Sequence, residues 1–369
     1  MSGPRLPVIW VCGASGAGKS VAAWSLFQEL AAAGTRVAYV DIDQLGMLYP
    51  AADDDPAWHH ALKGEALAAV LPGYVAAGAQ LLVVSGVVDP REGPRKQLPP
   101  DTDLTLCLLS PDPAVLRERI LARGWSQADA DEAAAESGLL RAAPFVDVRI
   151  ETTALSVAET VARLRDVAHV DGEARGTRGG VTSPSSTGVV LLTGPRAAGS
   201  STVGFGLAVG RWRAGRRTGF LDLQQLGFIG RNGRTDSEST LAVRQLAAMH
   251  NLMTERGAEL LILSGHLSVP DRALVRAALP RATVKVVRLR ADERTLAEHV
   301  RARVGGSDAR LAADDLLGAD QQHQDAVVAT ALAEQHTLDT APADDDAVLN
   351  VSGRTPAQVI PDVEHLTNP

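Results

Sequence analysis

The residues between Gly13 and Val21 are of the types that bind a chain of phosphates. Their order is Gly13, Ala14, Ser15, Gly16, Ala17, Gly18, Lys19, Ser20 and Val21, which contains G-x-x-x-x-G-K-[ST] in full. Glycines let consecutive backbone N–H groups turn toward one anion, and the start of a helix adds partial positive charge. Lys19 offers a full charge to the β- and γ-phosphates, and Ser20 offers a hydroxyl to Mg²⁺. We therefore expect this segment to bind ATP or GTP with magnesium.

Two aspartates follow the second apolar run, where an acceptor could meet the phosphates. The run ends Tyr39-Val40-Asp41-Ile42-Asp43. The carboxyl ends of parallel strands face the ligand crevice of an open α/β sheet. We expect one of the two carboxylates to hold Mg²⁺ and the other to orient an acceptor hydroxyl or take its proton. Two solvated turn aspartates are the competing interpretation.

Further candidates follow the third and fourth apolar runs. Gly86 ends the third run, where a missing side chain would let substrate approach the backbone. Arg91, in the next loop, could bind an anionic acceptor, and Arg141 could contact the acceptor as well. Arg119 and Arg123 are four residues apart, so they share one helix face and could close over the triphosphate as a catalytic lid. Each of these residues also fits an ordinary loop or surface role.

The elements that must position these residues are short apolar runs alternating with longer amphipathic ones. In the first half of the chain they predict strands over 7–12, 36–41, 80–85, 104–109 and 147–151. They predict helices over 18–33, 57–77, 112–123, 127–141 and 156–168. Nearly continuous Val, Leu and Ile in the strands indicate a mostly parallel sheet that is covered on both faces. The predicted fold class is α/β, in three layers.

An internal repeat indicates that this unit occurs twice. Residues 13–46 and 194–227 are identical at 12 of 34 positions, with a constant offset of 181. GAQLLVVSG at 78–86 matches GAELLILSG at 257–265 at six of nine positions, and 108–123 resembles 288–303. Three ordered matches at nearly constant offset indicate duplication of one domain. We predict tandem domains at 1–170 and 188–369, joined by a Gly-, Ser- and Thr-rich linker at 171–187.

The second copy of the phosphate loop lacks its cation. It reads Gly194-Pro-Arg-Ala-Ala-Gly199-Ser200-Ser201, with Ser200 at the position of Lys19. A triphosphate there would lose a charge-assisted contact worth about 1.5–3 kcal/mol. Gln224 also replaces Asp43. We expect this copy not to catalyse phosphoryl transfer. Three roles stay open for it: an internal pseudo-dimer partner, a wall of the acceptor pocket, or a regulatory nucleotide site.

Composition limits the partners and the location. The 369 residues carry a net charge of −8, which argues against a nucleic-acid surface. No segment predicts a signal peptide or a membrane span. The two cysteines, Cys12 and Cys107, lie in apolar runs and predict buried thiols rather than a disulfide framework. We expect a cytoplasmic protein without nucleic-acid or membrane partners.

In the order of these motifs, residues 8–168 resemble the P-loop small-molecule kinases, with adenylylsulfate, gluconate and shikimate kinases nearest in pattern. The resemblance implies that Asp41 serves the metal, Asp43 the acceptor hydroxyl, and Arg119 and Arg123 the lid. It implies transfer of the γ-phosphoryl of ATP to a small hydroxyl-bearing metabolite. The chain has no Gly-Gly-Gly run after the third strand, which argues against shikimate.

The arrangement of two copies also resembles tandem ATP-binding proteins of Ala- and Arg-rich bacterial proteomes. The alternative function is a non-kinase NTP-binding regulatory protein or a slow NTPase switch. The degenerate second copy favours that alternative, because asymmetric pairs of domains often regulate.

Overall fold

Two sheets of mostly parallel strands organise the chain. The computed structural model describes residues 6–51, 57–168, 182–230, 236–305, 312–341 and 347–367. Strands alternate with helices in both halves, as continuous apolar runs and amphipathic runs require. The predicted α/β class with mostly parallel sheets is confirmed.

The first sheet contains five strands from the first half of the chain. The strands of this half are β1 (Val8–Cys12), β2 (Val37–Asp41), β3 (Leu48–Tyr49), β4 (Leu81–Ser85), β5 (Leu104–Leu109) and β6 (Val148–Ile150). All except β3 pair in parallel in the order β2-β4-β1-β5-β6. The helices are α1 (Lys19–Ala32), α2 (Ile42–Leu45), α3 (Trp58–Ala76), α4 (Pro113–Ala122), α5 (Gln127–Ala142) and α6 (Val157–Val167). Every predicted element of this half is present, whereas α2 and β3 were not predicted.

The second sheet repeats this strand order. Its own strands are β7 (Gly188–Thr193), β8 (Thr218–Asp222), β9 (Leu260–Gly265), β10 (Val284–Arg290) and β11 (Ala347–Asn350), and the full order is β11-β10-β7-β9-β8-β3. The helices are α7 (Ser200–Arg213), α8 (Asp236–Glu255), α9 (Val269–Ala278), α10 (Glu293–Val304), α11 (Gln321–Thr340) and α12 (Pro356–Thr367). The predicted domain boundaries stay predictions, because residues 169–181, which include most of the predicted linker, lie outside the described chain.

The last residues of the predicted linker pack against the second half. Ser183 is fully buried, and its hydroxyl lies 2.7 Å from Nδ1 of His250 on α8. The Ser185 hydroxyl contacts the Thr254 hydroxyl at 2.7 Å on the same helix. The linker itself stays a prediction, and at this end of it small polar side chains find hydrogen-bond partners on α8.

Alternate residues of each strand face two different cores. Trp10 of β1 faces a core that also contains α3, α8 and one face of the second sheet, whereas Ile9 faces the core under α1. Helices α3 and α8 pack together, so they form a helical layer that both halves share. Cys12 and Cys107 are buried and free, as expected. Within the described ranges, no helix combines the length and apolar character needed to cross a bilayer.

Each half supplies a short segment to the other half's sheet. Leu48 of β3 pairs antiparallel with Gly219 of β8, and Ile229 forms an antiparallel bridge with Ala38 of β2. With the repeat offset of 181, these are the same contact made twice, since 48 + 181 = 229 and 38 + 181 = 219. Such reciprocity characterises a two-fold, isologous interface.

Side chains reinforce this exchange. Phe228 of the second half lies 5.0 Å from the Trp24 ring and 5.9 Å from the Tyr39 ring, measured between centroids. The Tyr39 N–H donates to the carbonyl oxygen of Phe228 at 3.1 Å. Met47, at the corresponding position of the first half, packs against the second half's core. The interface is thus built from backbone pairing and apolar contact at equivalent positions.

We predict that Phe228→Ala lowers the free energy of unfolding by about 2 kcal/mol, because it removes a half-buried ring that bridges the two halves. Urea unfolding followed by tryptophan fluorescence measures this. Leu139→Ala is the matched control, because that side chain is 50% exposed and its loss should change stability by less than about 0.5 kcal/mol. Equal losses in both variants would contradict the bridging role of Phe228.

Candidate functional site

The phosphate loop is a tight turn between β1 and α1. Gly13 has φ 147°, and a Cβ there would lie 2.5 Å from the carbonyl oxygen of Leu109 on β5. Gly16 and Gly18 have φ of 83° and 93°, in the left-handed region that favours glycine. No side chain caps α1 at Gly18, and the first amides of a helix have no intrahelical acceptor. The loop therefore presents N–H groups to which an anion could bind.

Lys19 lies inside the loop rather than in solvent. Its side chain is 8% exposed, and its ammonium donates to the carbonyl oxygen of Ala14 at 3.0 Å. Burial lowers the pKa of Lys19, while the nearby Asp43 carboxylate opposes that shift. A buried ammonium whose hydrogen bond goes to a neutral carbonyl would gain by turning to a phosphate oxygen.

Ser20 and Asp41 form the predicted metal pair. The Ser20 hydroxyl donates to Oδ2 of Asp41 at 3.0 Å, and Oδ1 accepts from the Asp43 N–H at 3.0 Å. Burial, together with the charge of Asp43, raises the pKa of Asp41 to about 6, and the Ser20 hydrogen bond opposes this. A hydroxyl and a buried carboxylate are oxygen ligands of the kind that Mg²⁺ prefers. These two residues therefore fit the ion.

Asp43 has a separate partner, Lys63 on α3. The Lys63 ammonium lies 2.7 Å from Oδ1 of Asp43, and its side chain is only 12% exposed. The Lys63 stem packs over Gly46, where an added Cβ would lie 2.9 Å from Cγ of the lysine. Sequence reasoning did not select Lys63. Its rarity was a usable signal, because the chain has only four lysines.

Glu136 on α5 is a second residue that sequence reasoning missed. Burial raises the pKa of its carboxyl, and the ammonium of Lys19, followed by that of Lys63, opposes the shift. This carboxylate therefore lies in the same electrostatic environment as the loop lysine and the Asp43 pair. No motif pointed to it, because α5 is separated from the loop by more than a hundred residues.

Gly86 is required by the packing of the protein itself. Its φ is 141°, and an added Cβ would lie 2.4 Å from Cγ2 of Ile42 and 3.3 Å from the Asp43 carboxylate. The glycine therefore lets the end of β4 approach the start of α2, which carries Asp43. Contact between substrate and Gly86 stays a prediction.

Helix α4, which carries Arg119, packs on the phosphate loop. A Cβ on Gly16 would lie 3.0 Å from Cδ1 of Ile120, so α4 packs directly on the phosphate loop. Arg119 precedes that contact and is half-buried, whereas Arg123 follows the end of α4 and is exposed. Within the described residues, neither guanidinium has a hydrogen bond or an ion pair. Their lid role stays a prediction.

The contacts that the structure shows for Arg141 and Arg91 are with residues other than Asp43. The Arg141 guanidinium contacts the carbonyl oxygens of Pro111 at 2.5 Å and Ser110 at 3.2 Å, and the carboxylate of Glu151 at 3.3 Å. It thus ties α5 to the end of β5. Arg91 is exposed and bonds through its backbone N–H to Asp89 at 2.7 Å. An acceptor contact of either arginine stays a prediction.

Comparison with known proteins found similarity only among solved structures. No protein-family model matches the chain, and no curated protein sequence matches it. A gluconokinase from Sinorhizobium meliloti is 18% identical, covering 49% of this chain and 91% of its own, with a TM-score of 0.34. A sugar kinase from Janibacter is 19% identical, covering 49% and 94%, with a TM-score of 0.33. The Mycobacterium tuberculosis APS kinase is 18% identical, covering 50% and 98%, with a TM-score of 0.35. Because these TM-scores are below 0.5, we infer nothing about activity from them.

We predict that Asp41→Asn stabilises the metal-free protein above pH 6. The unfolded chain ionises Asp41 near its ordinary pKa of 3.8, whereas the folded chain retains the proton to about 6. Wild type therefore loses stability relative to the variant as pH rises from 4 to 6, by about 3 kcal/mol in total, and the difference is constant above that. Chemical unfolding in EDTA at several pH values measures this. A difference that does not change between pH 4 and 7 would contradict the raised pKa.

Proposed function

We propose that this chain binds ATP with Mg²⁺ in its first phosphate loop and transfers the γ-phosphoryl group to a hydroxyl of a small metabolite. The proposal rests on one observation, which is that two neighbouring carboxylates have different partners. Asp41 bonds to Ser20 on the loop side, and Asp43 pairs with Lys63 on the other side. One strand end thus offers a metal ligand and an acceptor-orienting group within three residues.

The loop lysine and the metal pair would act on the triphosphate. Lys19 would exchange its bond to Ala14 for oxygens of the β- and γ-phosphates and stabilise the charge that shifts during transfer. Ser20 and Asp41 would hold Mg²⁺, which supplies further neutralisation of the phosphate charge when bound. Arg119, on the helix α4 that packs on the loop through Ile120, would add positive charge, with Arg123 one turn further along.

Asp43 and Lys63 would act on the acceptor. The carboxylate of Asp43 would accept a hydrogen bond from the acceptor hydroxyl, orienting its oxygen for in-line attack on the γ-phosphorus. The new bond joins that oxygen to phosphorus while the bond to the β–γ bridging oxygen breaks, and the hydroxyl proton passes to Asp43. Lys63 would hold Asp43 in place through their ion pair. We keep Gly86, Arg91 and Arg141 as proposed acceptor contacts.

We also propose that the two halves are a fused pseudo-dimer that arose by duplication. The reciprocal strand exchange and the shared helical layer support this. The domain limits 1–170 and 188–369, a cytoplasmic location and the absence of nucleic-acid partners remain predictions from the sequence.

Lys19→Ala should abolish the ATP binding that calorimetry detects at the first loop, because the loop loses its charge-assisted contact. Calorimetric titration of the full chain with MgATP measures the loss. Lys96→Ala is the matched control, since Lys96 is 65% exposed and pairs with Glu92. The proposed site is wrong if the two variants bind ATP equally well.

Asp43→Asn should leave ATP affinity within about threefold of wild type and lower transfer to the acceptor by about 10²–10⁴-fold. A phosphorus NMR screen of ATP with pooled hydroxyl metabolites first identifies the acceptor and then measures the rate. Asp89→Asn is the control, because its carboxylate caps the Arg91 and Glu92 amides. If Asp43→Asn leaves all NTP turnover intact, the kinase proposal fails and a slow NTPase switch replaces it.

A further inference from the structure

The second phosphate loop keeps the shape of the first although its sequence has changed. A Cβ on Gly194 would lie 2.6 Å from the carbonyl oxygen of Leu289, as at Gly13 in the first loop. Gly199 has φ 90°, close to its counterpart. Ala197, which replaces Gly16, holds a left-handed φ of 62° despite its side chain. Because a left-handed φ is unfavourable for alanine, other contacts must hold this turn in the conformation of an anion-binding loop.

A carboxylate of the second half bonds to this loop. The backbone N–H of Arg196 donates to Oε2 of Glu334 on α11 at 2.8 Å. Arg196 corresponds to Ser15 of the first loop, since 15 + 181 = 196. An amide at the position that would face phosphate in the first loop is thus already satisfied by an internal anion.

Two further contacts fix the closed loop. The Arg196 guanidinium forms an ion pair with Asp315, which also lies 3.1 Å from Nε2 of His323. His299 on α10 contacts the carbonyl oxygen of Ala197 through Nδ1 at 2.8 Å, so that nitrogen carries a hydrogen. His299 occupies the position of Arg119 in the first half, since 119 + 180 = 299. In the second half, the residue at the position of Arg119 therefore bonds to the phosphate loop itself.

We infer that the second half keeps its phosphate loop closed with its own carboxylate, Glu334, so that a nucleoside triphosphate enters only the first loop. A triphosphate at the second loop would meet the carboxylates of Glu334 and Asp315 without the ammonium that Lys19 supplies in the first. Two obstacles, the missing lysine and the resident carboxylate, therefore act together. This inference does not depend on the proposed activity of the first half.

The experiment is MgATP titration calorimetry on the full chain in a Lys19→Ala background, where only the second loop could bind. We expect no binding in the background, in its Ser200→Lys derivative or in its Glu334→Gln derivative. We expect the variant that carries both Ser200→Lys and Glu334→Gln to bind MgATP at least about tenfold more tightly than either derivative. Glu298→Gln in place of Glu334→Gln is the matched control, because Glu298 pairs with Arg294 on the surface, and it should give no gain.

Amide hydrogen exchange at Arg196 tests the contact without added nucleotide. Glu334→Ala should speed exchange of that amide by about tenfold, whereas Glu298→Ala should not change it. Binding of MgATP in the Lys19→Ala background would overturn the inference, and so would binding with Ser200→Lys alone. Unchanged exchange at Arg196, or no gain in the doubly substituted derivative while its melting temperature shows it folded, would overturn it as well.

Discussion

A strand-to-helix turn whose amide hydrogens converge needs a negative partner, and each half of this chain meets that need differently. In the first half, α1 begins without a side-chain cap, and the buried ammonium of Lys19 rests on the Ala14 carbonyl. That arrangement concentrates positive potential and leaves it to be neutralised by a ligand. In the second half, Glu334 bonds to a loop amide. The turn is the same, but only one copy offers it to a ligand.

The interface between the halves affects the first site, because strand β2 takes part in the interface and also ends at the site. The Tyr39 N–H bonds to the second half's Phe228, and two residues later the same strand ends at Asp41. A strand that is held on one edge by β4 and on the other by the exchanged segment has little freedom to shift. The second half can thus be retained for positioning β2 even though its own loop is closed. This accounts for a second copy that keeps the reciprocal strand contact and apolar residues at its interface positions, such as Ile229 at the position of Leu48, while losing its loop lysine.

Sequence patterns predicted the local structure well, because hydrophobic periodicity and capping act over a few residues. The strands predicted over 36–41 and 80–85 are present and end at Asp41 and Ser85. The exchange of β3 was not predictable, because a two-residue strand has no periodicity and its partner lies 170 residues away. Lys63 was missed because its role depends on how α3 crosses Gly46. The contacts of Ser183 and Ser185 were not predictable either, since composition does not reveal the partner groups on α8.

The two phosphate loops differ in their partners because the first contains the charged Lys19 and the second has Ser200 at that position. Glu136 in the first half is an acidic residue of the helix before the last strand, and Glu334 holds the same kind of place in the second half. The ammonium groups of Lys19 and Lys63 lie near enough to Glu136 to oppose the rise in its pKa that burial causes. Where Ser200 replaces the lysine, no ammonium of the loop competes for the carboxylate, and a backbone amide becomes its partner. Loss of a cation thus does more than weaken a ligand site, because it frees an anion of the protein to take the ligand's place.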